Sequence, residues 1–214
     1  MPDPVASSPH PPAPTPEGLV CAAVVAAGRA DGCGASLIPG SEDRLPLAAT
    51  DETFLAAAEL EFSVWEGPGP EVLDSGRPVV VTDVWAEHAR WPLTTPRARA
   101  LPLRAFAVLP LTAAGRPIGL FAAYRRAPRP FTTVDLAALD VFARAVAVLA
   151  LDRFGDLADL PVSPISTAVG VLMERHRISA DAALALLRAR AYATDRTLTA
   201  LAAALLEDRT TLDD

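Results

Sequence analysis

The side chains best suited to surface chemistry gather in the last quarter of the chain, where Arg188, Tyr192 and Arg196 recur at intervals of four residues. On a helix, 188 and 192 are i, i+4 neighbours, and 196 falls just past the end marked by the polar run Thr194-Asp195-Arg196-Thr197. Guanidinium and phenol groups bond phosphates and stack on unpaired bases, so this spacing suits looped RNA. Arginines on an exposed helix more often serve only as a solvated face, and residue type alone leaves both readings open. Arg175, Arg177 and Arg190 add positive charge, yet from position 160 to 207 five arginines oppose four carboxylates, a net charge of about +1. That is well short of a broad basic footprint.

Three short amphipathic helices must carry these groups. Ile165, Ala168, Val169, Leu172 and His176 recur as an apolar stripe at helical spacing. Ser179 is placed to cap the next helix, with Asp181 complementing its dipole. Ala183, Leu184, Leu187 and Ala191 form the second stripe; Leu198, Leu201, Ala202 and Leu205 form the third. Helices this short are not stable alone, so they must share one core. Gly170, inside the first, costs roughly 1 kcal/mol against alanine. It serves either close helix packing or the approach of a nucleic-acid backbone.

The run from Ala168-Val169-Gly170-Val171-Leu172-Met173-Glu174-Arg175 through Ile178-Ser179-Ala180-Asp181 to Asp195-Arg196-Thr197-Leu198 resembles the ANTAR domain, a small RNA-binding module of bacterial transcription antiterminators. The resemblance implies a hairpin-RNA site drawn from Ala168, Gly170, Arg175, Arg188, Tyr192 and Arg196. The family often places lysine between the alanine and glycine, and glutamine before the alanine. Here those positions are Val169 and Thr167, which alters two polar contacts of the implied RNA face.

Upstream, residues 1–16 hold seven prolines among small residues and are expected to be a disordered tail. From Glu17 an apolar helix leads into strands at residues 32–39 and 45–50, joined by a turn at 40–43. A helical or irregular stretch at 51–65, a Gly-Pro loop, a helical turn at 71–75 and a strand at 78–84 follow. Residues 104–111 and 117–124 make a second hairpin. Gly67-Pro68-Gly69-Pro70, Ser75-Gly76-Arg77-Pro78, Leu109-Pro110-Leu111, Gly115 and Ile118-Gly119 resemble the GAF domain of actinobacterial GAF–ANTAR regulators. Such domains bind small molecules or dimerise; no residue here declares a ligand. The fold class expected is α+β: a GAF-like antiparallel sheet with flanking helices over residues 17–154, a linker at 155–164, and an all-α three-helix ANTAR bundle at 165–214.

Between them Thr132 or Thr133 caps a helix, with Asp135 completing a capping box. Leu136, Leu139, Val146 and Leu149 line one face, and Ala138, Val141, Ala145 and Val148 make much of the remainder apolar. A helix apolar nearly all round is buried on two sides. One is expected to meet the sheet and the other a second subunit, with the face of Leu136, Leu139, Val146 and Leu149 holding a homodimer. Pro161 and Pro164 separate this helix from the first ANTAR helix.

Several classes are excluded. The chain has no lysine, asparagine or glutamine among its 214 residues, so a P-loop, a kinase and a Schiff-base enzyme each lose their central residue. A phosphoacceptor receiver built on Asp83 fails for the same reason. Cys21 and Cys33 lie in different elements and read as small core residues, against a sulfoxide-reductase GAF site, and His10, His88 and His176 show no ligand spacing. No catalytic residue, metal or cofactor is assigned, with a small-molecule effector in the GAF domain left open. The net charge of −7 and pI near 5.0 confine any RNA site to a local patch. No apolar run reaches ~18 residues and no leader opens the chain, so a cytoplasmic protein without membrane contact is expected. The leading function is an RNA-binding antitermination regulator. The alternatives are a DNA-binding transcription factor, disfavoured by the lack of adenine-reading Asn and Gln, and a GAF–ANTAR protein acting through protein contacts.

Overall fold

The computed structural model describes residues 15–40, 43–155 and 163–207. Helix α1 (Pro16–Ala26) begins on Pro16 at its first turn, with the Thr15 hydroxyl accepting from Gly18 N–H. Residues 1–14, on which most of the expected tail falls, lie outside the described residues. The strands β1 (Gly32–Gly40), β2 (Asp43–Ala49), β3 (Val79–Val81), β4 (Ala105–Ala113) and β5 (Arg116–Arg125) form one antiparallel sheet in the order β2-β1-β5-β4-β3. Between β2 and β3 lie α2 (Glu52–Val64) and α3 (Pro68–Ser75), and between β3 and β4 a 3₁₀ segment (Val84–Ala89) and α4 (Thr94–Ala98).

Strand alternation gives the sheet two apolar faces. Along β4, Ala105, Ala107, Leu109 and Leu111 turn to the layer formed by α1 and α5 (Thr133–Phe154). Phe106 and Val108 turn the other way, toward α2, α3 and the 3₁₀ segment. The strand expected at 78–84 is shorter, because Asp83 leaves it to cap the 3₁₀ segment, accepting from Trp85 N–H at 3.1 Å. The same carboxylate takes two bonds from Arg104, at 2.9 and 2.5 Å, so Asp83 is a structural ion-pair partner. Arg104 beside it holds the carboxyl below its usual range.

Helix α5 carries the capping box anticipated at Thr132, and Asp135 does more than cap. Its carboxylate accepts from Thr132 N–H, Arg125 and Arg29, at 3.0 to 3.1 Å, while Arg125 also donates to the Pro130 and Arg29 carbonyls. Burial alone would push Asp135 up; the Thr132 and arginine hydrogen bonds outweigh it and hold the carboxyl well below the usual range. Cys21 and Cys33 do meet, despite lying on α1 and β1: both are buried and free, and their mutual hydrogen bond followed by burial raises the Cys33 thiol.

The face of α5 expected to seek a second subunit needs correction. Leu139 and Val146 have no exposure and pack in the chain's own core, beside partly buried Leu136. Val134, Val141 and Val148, at intervals of seven, are instead 62 to 66% exposed. α5 ends at Gly155, whose φ of 63° suits glycine. Most of the linker, Pro161 included, lies outside the described residues. The chain resumes in α6 (Pro164–His176), α7 (Ala180–Ala193) and α8 (Leu198–Glu207), with Ser163, Ser179 and Thr197 capping their starts. Among the described residues no helix is long and apolar enough to cross a membrane.

Asp135→Ala strips a carboxylate from the buried Arg125 and is expected to cost roughly 3–5 kcal/mol in urea unfolding at pH 7. Because the folded carboxyl is depressed below its unfolded value, its contribution is complete above about pH 5 and fades as pH falls below about 4. Wild-type stability should therefore drop on acidification more steeply than that of the alanine variant, and parallel curves would contradict the assignment.

Candidate nucleic-acid interface

The three C-terminal helices bury the stripes read from sequence: Ile165, Ala168, Val169 and Leu172; Ala183, Leu184, Leu187 and Ala191; Leu198, Leu201, Ala202 and Leu205. His176 departs from its stripe and is exposed, since α6 ends there and Arg177 turns the chain with φ 54°. Partly buried Ile178 packs on the core instead. One further buried residue completes this core from outside the bundle, Phe62 of α2.

The six candidate RNA residues fall in three places. Ala168 has no exposed surface, so it supports the bundle and cannot touch RNA in this conformation. Gly170 and Arg175 lie on the open side of α6. A Cβ built on Gly170 meets nothing within 4 Å, which removes the close-packing explanation of this glycine and leaves a bare stretch of helix surface. Val169 is buried at 2% exposure, so in this arrangement its side chain belongs to the core and not to the RNA face. Arg175 shares a shallow groove with Thr167, Val171, Glu174, Leu205 and Leu206.

Arg188, Tyr192 and Arg196 lie toward the GAF domain. The Arg188 guanidinium stands 4.8 Å from the Trp65 ring centre, and Arg97 of α4 lies over Tyr192 at 3.6 Å. Arg97 also donates to the Tyr192 carbonyl at 3.0 Å and pairs with Asp195 at 3.3 Å. Leu198 N–H donates to the buried Ser63 hydroxyl at 2.8 Å, and Arg196 to the Ala200 carbonyl at 2.9 Å. Tyr192 and Arg196 line a groove of about 450 Å³ with Glu52, Glu59 and Arg97. Across the chain, Ser163 and Ser166 at the start of α6 both donate to Asp43 of β2.

Trp65, Arg97, Phe62 and Ser63 are the residues that sequence reading missed. Their partners lie about a hundred positions away, and no local pattern announces them. The left-handed φ of 54° at Trp65, uncommon for an aromatic residue, is visible only in three dimensions.

Comparison with known proteins agrees with this architecture. The model of the GAF domain matches residues 18–149, more than half of the chain, and that of the ANTAR domain matches residues 163–206. The chain belongs to the GAF family, with the ANTAR domain following, the arrangement of a GAF–ANTAR regulator. GAF domains are associated with ligand sensing and ANTAR domains with RNA-binding antitermination. Among solved structures, the GAF domain of a phosphoenolpyruvate-protein phosphotransferase from Coxiella burnetii is similar at 17% identity and TM-score 0.53, covering 66% of this chain and 85% of that one. The GAF region of a putative membrane protein from Geobacter sulfurreducens is similar at 18% identity and TM-score 0.50, covering 62% and 89%. Both likenesses concern the fold. No curated protein matches the chain.

The docking of α2 on the bundle separates two kinds of contact by magnitude. Phe62→Ala empties a packed site and is expected to cost roughly 3–5 kcal/mol. Arg97→Ala removes an exposed stack and ion pair and should cost no more than about 1 kcal/mol. Urea titrations followed by helical circular dichroism measure both, and equal losses would show that the interface is not organised around Phe62.

Proposed function

We propose that this chain is an RNA-binding regulator of transcription whose ANTAR domain holds hairpin RNA and prevents a terminator from forming. The observation that carries the reading is the ANTAR match over residues 163–206, joined to two surface groups of the right chemistry. One is Gly170 with Arg175, where an absent side chain lets a phosphate backbone come close. The other is Arg188, Tyr192 and Arg196, able to bond phosphates and stack on loop bases. Ala168 acts through the core beneath them. No acid–base chemistry is required of such a protein, and an enzymatic role is not proposed.

Two members of the second group are engaged by the GAF domain: Trp65 stands over Arg188, and Arg97 covers Tyr192. RNA must therefore displace these contacts or wait for the bundle to move away from α2. The arrangement supports a sensory role in which the GAF domain sets how accessible the RNA face is. Removing Arg97, whose contacts are worth about 1 kcal/mol, should tighten RNA binding about fivefold.

The test uses RNAs carrying one or two short-looped hairpins, titrated with the full chain by fluorescence anisotropy. The double variant R188A/R196A should bind at least tenfold more weakly while keeping the wild-type fold, its stability lowered by no more than about 1–2 kcal/mol for the lost Trp65 and Ala200 contacts. Few phosphate contacts imply a shallow salt dependence, each contributing about −0.7 to −0.9 to the logarithmic slope. The reading is lost if paired hairpins bind no better than duplex DNA of equal length, or if the double variant binds unchanged.

A homodimer is proposed on the stripe Val134, Val141 and Val148 of α5, whose heptad interval suits helix pairing. A dimer would also let two bundles engage paired hairpins with avidity. Light scattering should report twice the chain mass for wild type and a monomer for V141E/V148E; a monomeric wild type removes the dimer.

A further inference from the structure

Between the sheet and α2 lies a cavity of about 50 Å³. Its walls are apolar: Phe54 from α2, Leu73 from α3, Phe106 from β4 and Leu120 from β5, with Phe62 and Trp65 closing the side nearest the bundle. Three polar side chains reach it, from Ser36, Arg44 and Glu61. Arg44 is already committed, paired with Glu59 at 3.0 Å and donating to the Ser36 hydroxyl at 3.5 Å. Glu61 is different. It accepts Gly69 N–H at 2.8 Å, and among the described residues no arginine or histidine lies within the 4 Å of an ion pair.

The chain is shaped to keep this carboxyl where it is. A Cβ on Gly67 would stand 2.8 Å from Glu61 Cγ, and one on Gly69 would stand 2.8 Å from Glu61 Oε2 and 2.9 Å from Leu120 Cδ1. The Gly-Pro-Gly-Pro turn thus wraps the acid, with Gly67 at φ 141°. A half-buried carboxyl set against apolar walls without a counter-charge resists ionisation. Burial accordingly pushes Glu61 up to about 7, against smaller lowering by Gly69 N–H and Arg44, while Glu71 adds to the rise. An apolar pocket with one convergent, unpaired acid is the pattern of a small-molecule site.

We infer that this cavity binds a small aliphatic amine, its protonated nitrogen paired with the Glu61 carboxylate and its alkyl body packed against Phe54, Leu73, Phe106 and Leu120. A cation supplies the one interaction the pocket lacks. An anion would meet an unpaired carboxylate, because the charge of Arg44 is taken by Glu59. The size fits: at about 10–15 Å³ for each water-sized position, the cavity holds a group of a few heavy atoms. The site also has a route outward. Glu61, Phe62 and Trp65 occupy about one turn at the end of α2; Phe62 enters the core of the bundle, and Trp65 meets both the Phe62 ring, at 5.8 Å between centres, and Arg188. A ligand that shifts this turn acts directly on the contacts holding the ANTAR domain.

The inference deepens the sensory role proposed above, and its test contains no RNA, so either can fail alone. The full chain is titrated calorimetrically at pH 7 with isobutylamine, isobutanol and isovalerate, which share a branched alkyl body and differ in head group. Isobutylamine should bind saturably and at least tenfold more tightly than the other two. It should also release protons, read from the dependence of heat on buffer, because pairing with a cation ionises a carboxyl that its apolar surroundings hold partly protonated. E61Q keeps the acceptor for Gly69 and should retain the wild-type fold while losing the preference for amine and the proton release. A122L, which fills the cavity from β5 and leaves Glu61 intact, should abolish binding; should it fail to fold, E61Q alone decides. Equal affinity for the three probes, unchanged binding by E61Q, or no saturable binding of the amine would each overturn the inference.

Discussion

Helix α2 has to bury two faces at once, and that constraint organises the molecule. Its inner side, from Phe54 and Ala57, packs on the sheet with Phe106 and Val108. Its outer end, from Phe62 to Trp65, lies against the ANTAR bundle, where Phe62 is as much a core residue as any on α6, α7 or α8. A three-helix unit this small buries little surface alone and gains from an aromatic side chain lent by its neighbour. The two domains therefore share stability through one short helix, and a change at the end of α2 is felt by both. Packed interfaces shift between discrete arrangements more readily than they deform, which suits such a helix to switching.

Polar interactions reinforce this arrangement at its margins. Ser63 caps α8 by accepting from Leu198 N–H, so α2 also satisfies the backbone of the helix it supports. Asp43 of β2 takes both serine hydroxyls at the start of α6. At the opposite face of the sheet, Asp135 joins α5 to the ends of α1 and β5 through Arg29 and Arg125. Both carboxylates hold elements together, Asp135 with two arginines and Asp43 with two hydroxyls, while Glu61 faces an apolar cavity with neither. That contrast, and not any one distance, singles out its cavity.

Local patterns carried most of the fold. The apolar stripes of α6, α7 and α8 were legible because a 3.6-residue period leaves a trace in a single helix. The same holds for the capping box at Thr132 and for both hairpins. The faces that went astray depended on neighbours. Nothing in the sequence of α5 says which of its apolar sides meets the sheet, and the outward side proved to be Val134, Val141 and Val148. His176 fitted its stripe by spacing, yet the helix ends there and leaves it in solvent.

By itself the sequence determined the order of the domains, the identity of most of their helices and strands, and the exclusion of lysine-dependent chemistry, since these rest on residue type and near-neighbour spacing; the 3₁₀ segment and α4, which lack a periodic apolar pattern, left no such trace. Tertiary structure decided which candidate site residues have a surface to offer. It buried Ala168 and Val169, opened Gly170, and set Trp65 and Arg97 over Arg188 and Tyr192. It also surrounded Glu61 with apolar walls. These outcomes follow from contacts between segments far apart in the chain, whose geometry is set only when the sheet, α2 and the bundle pack together.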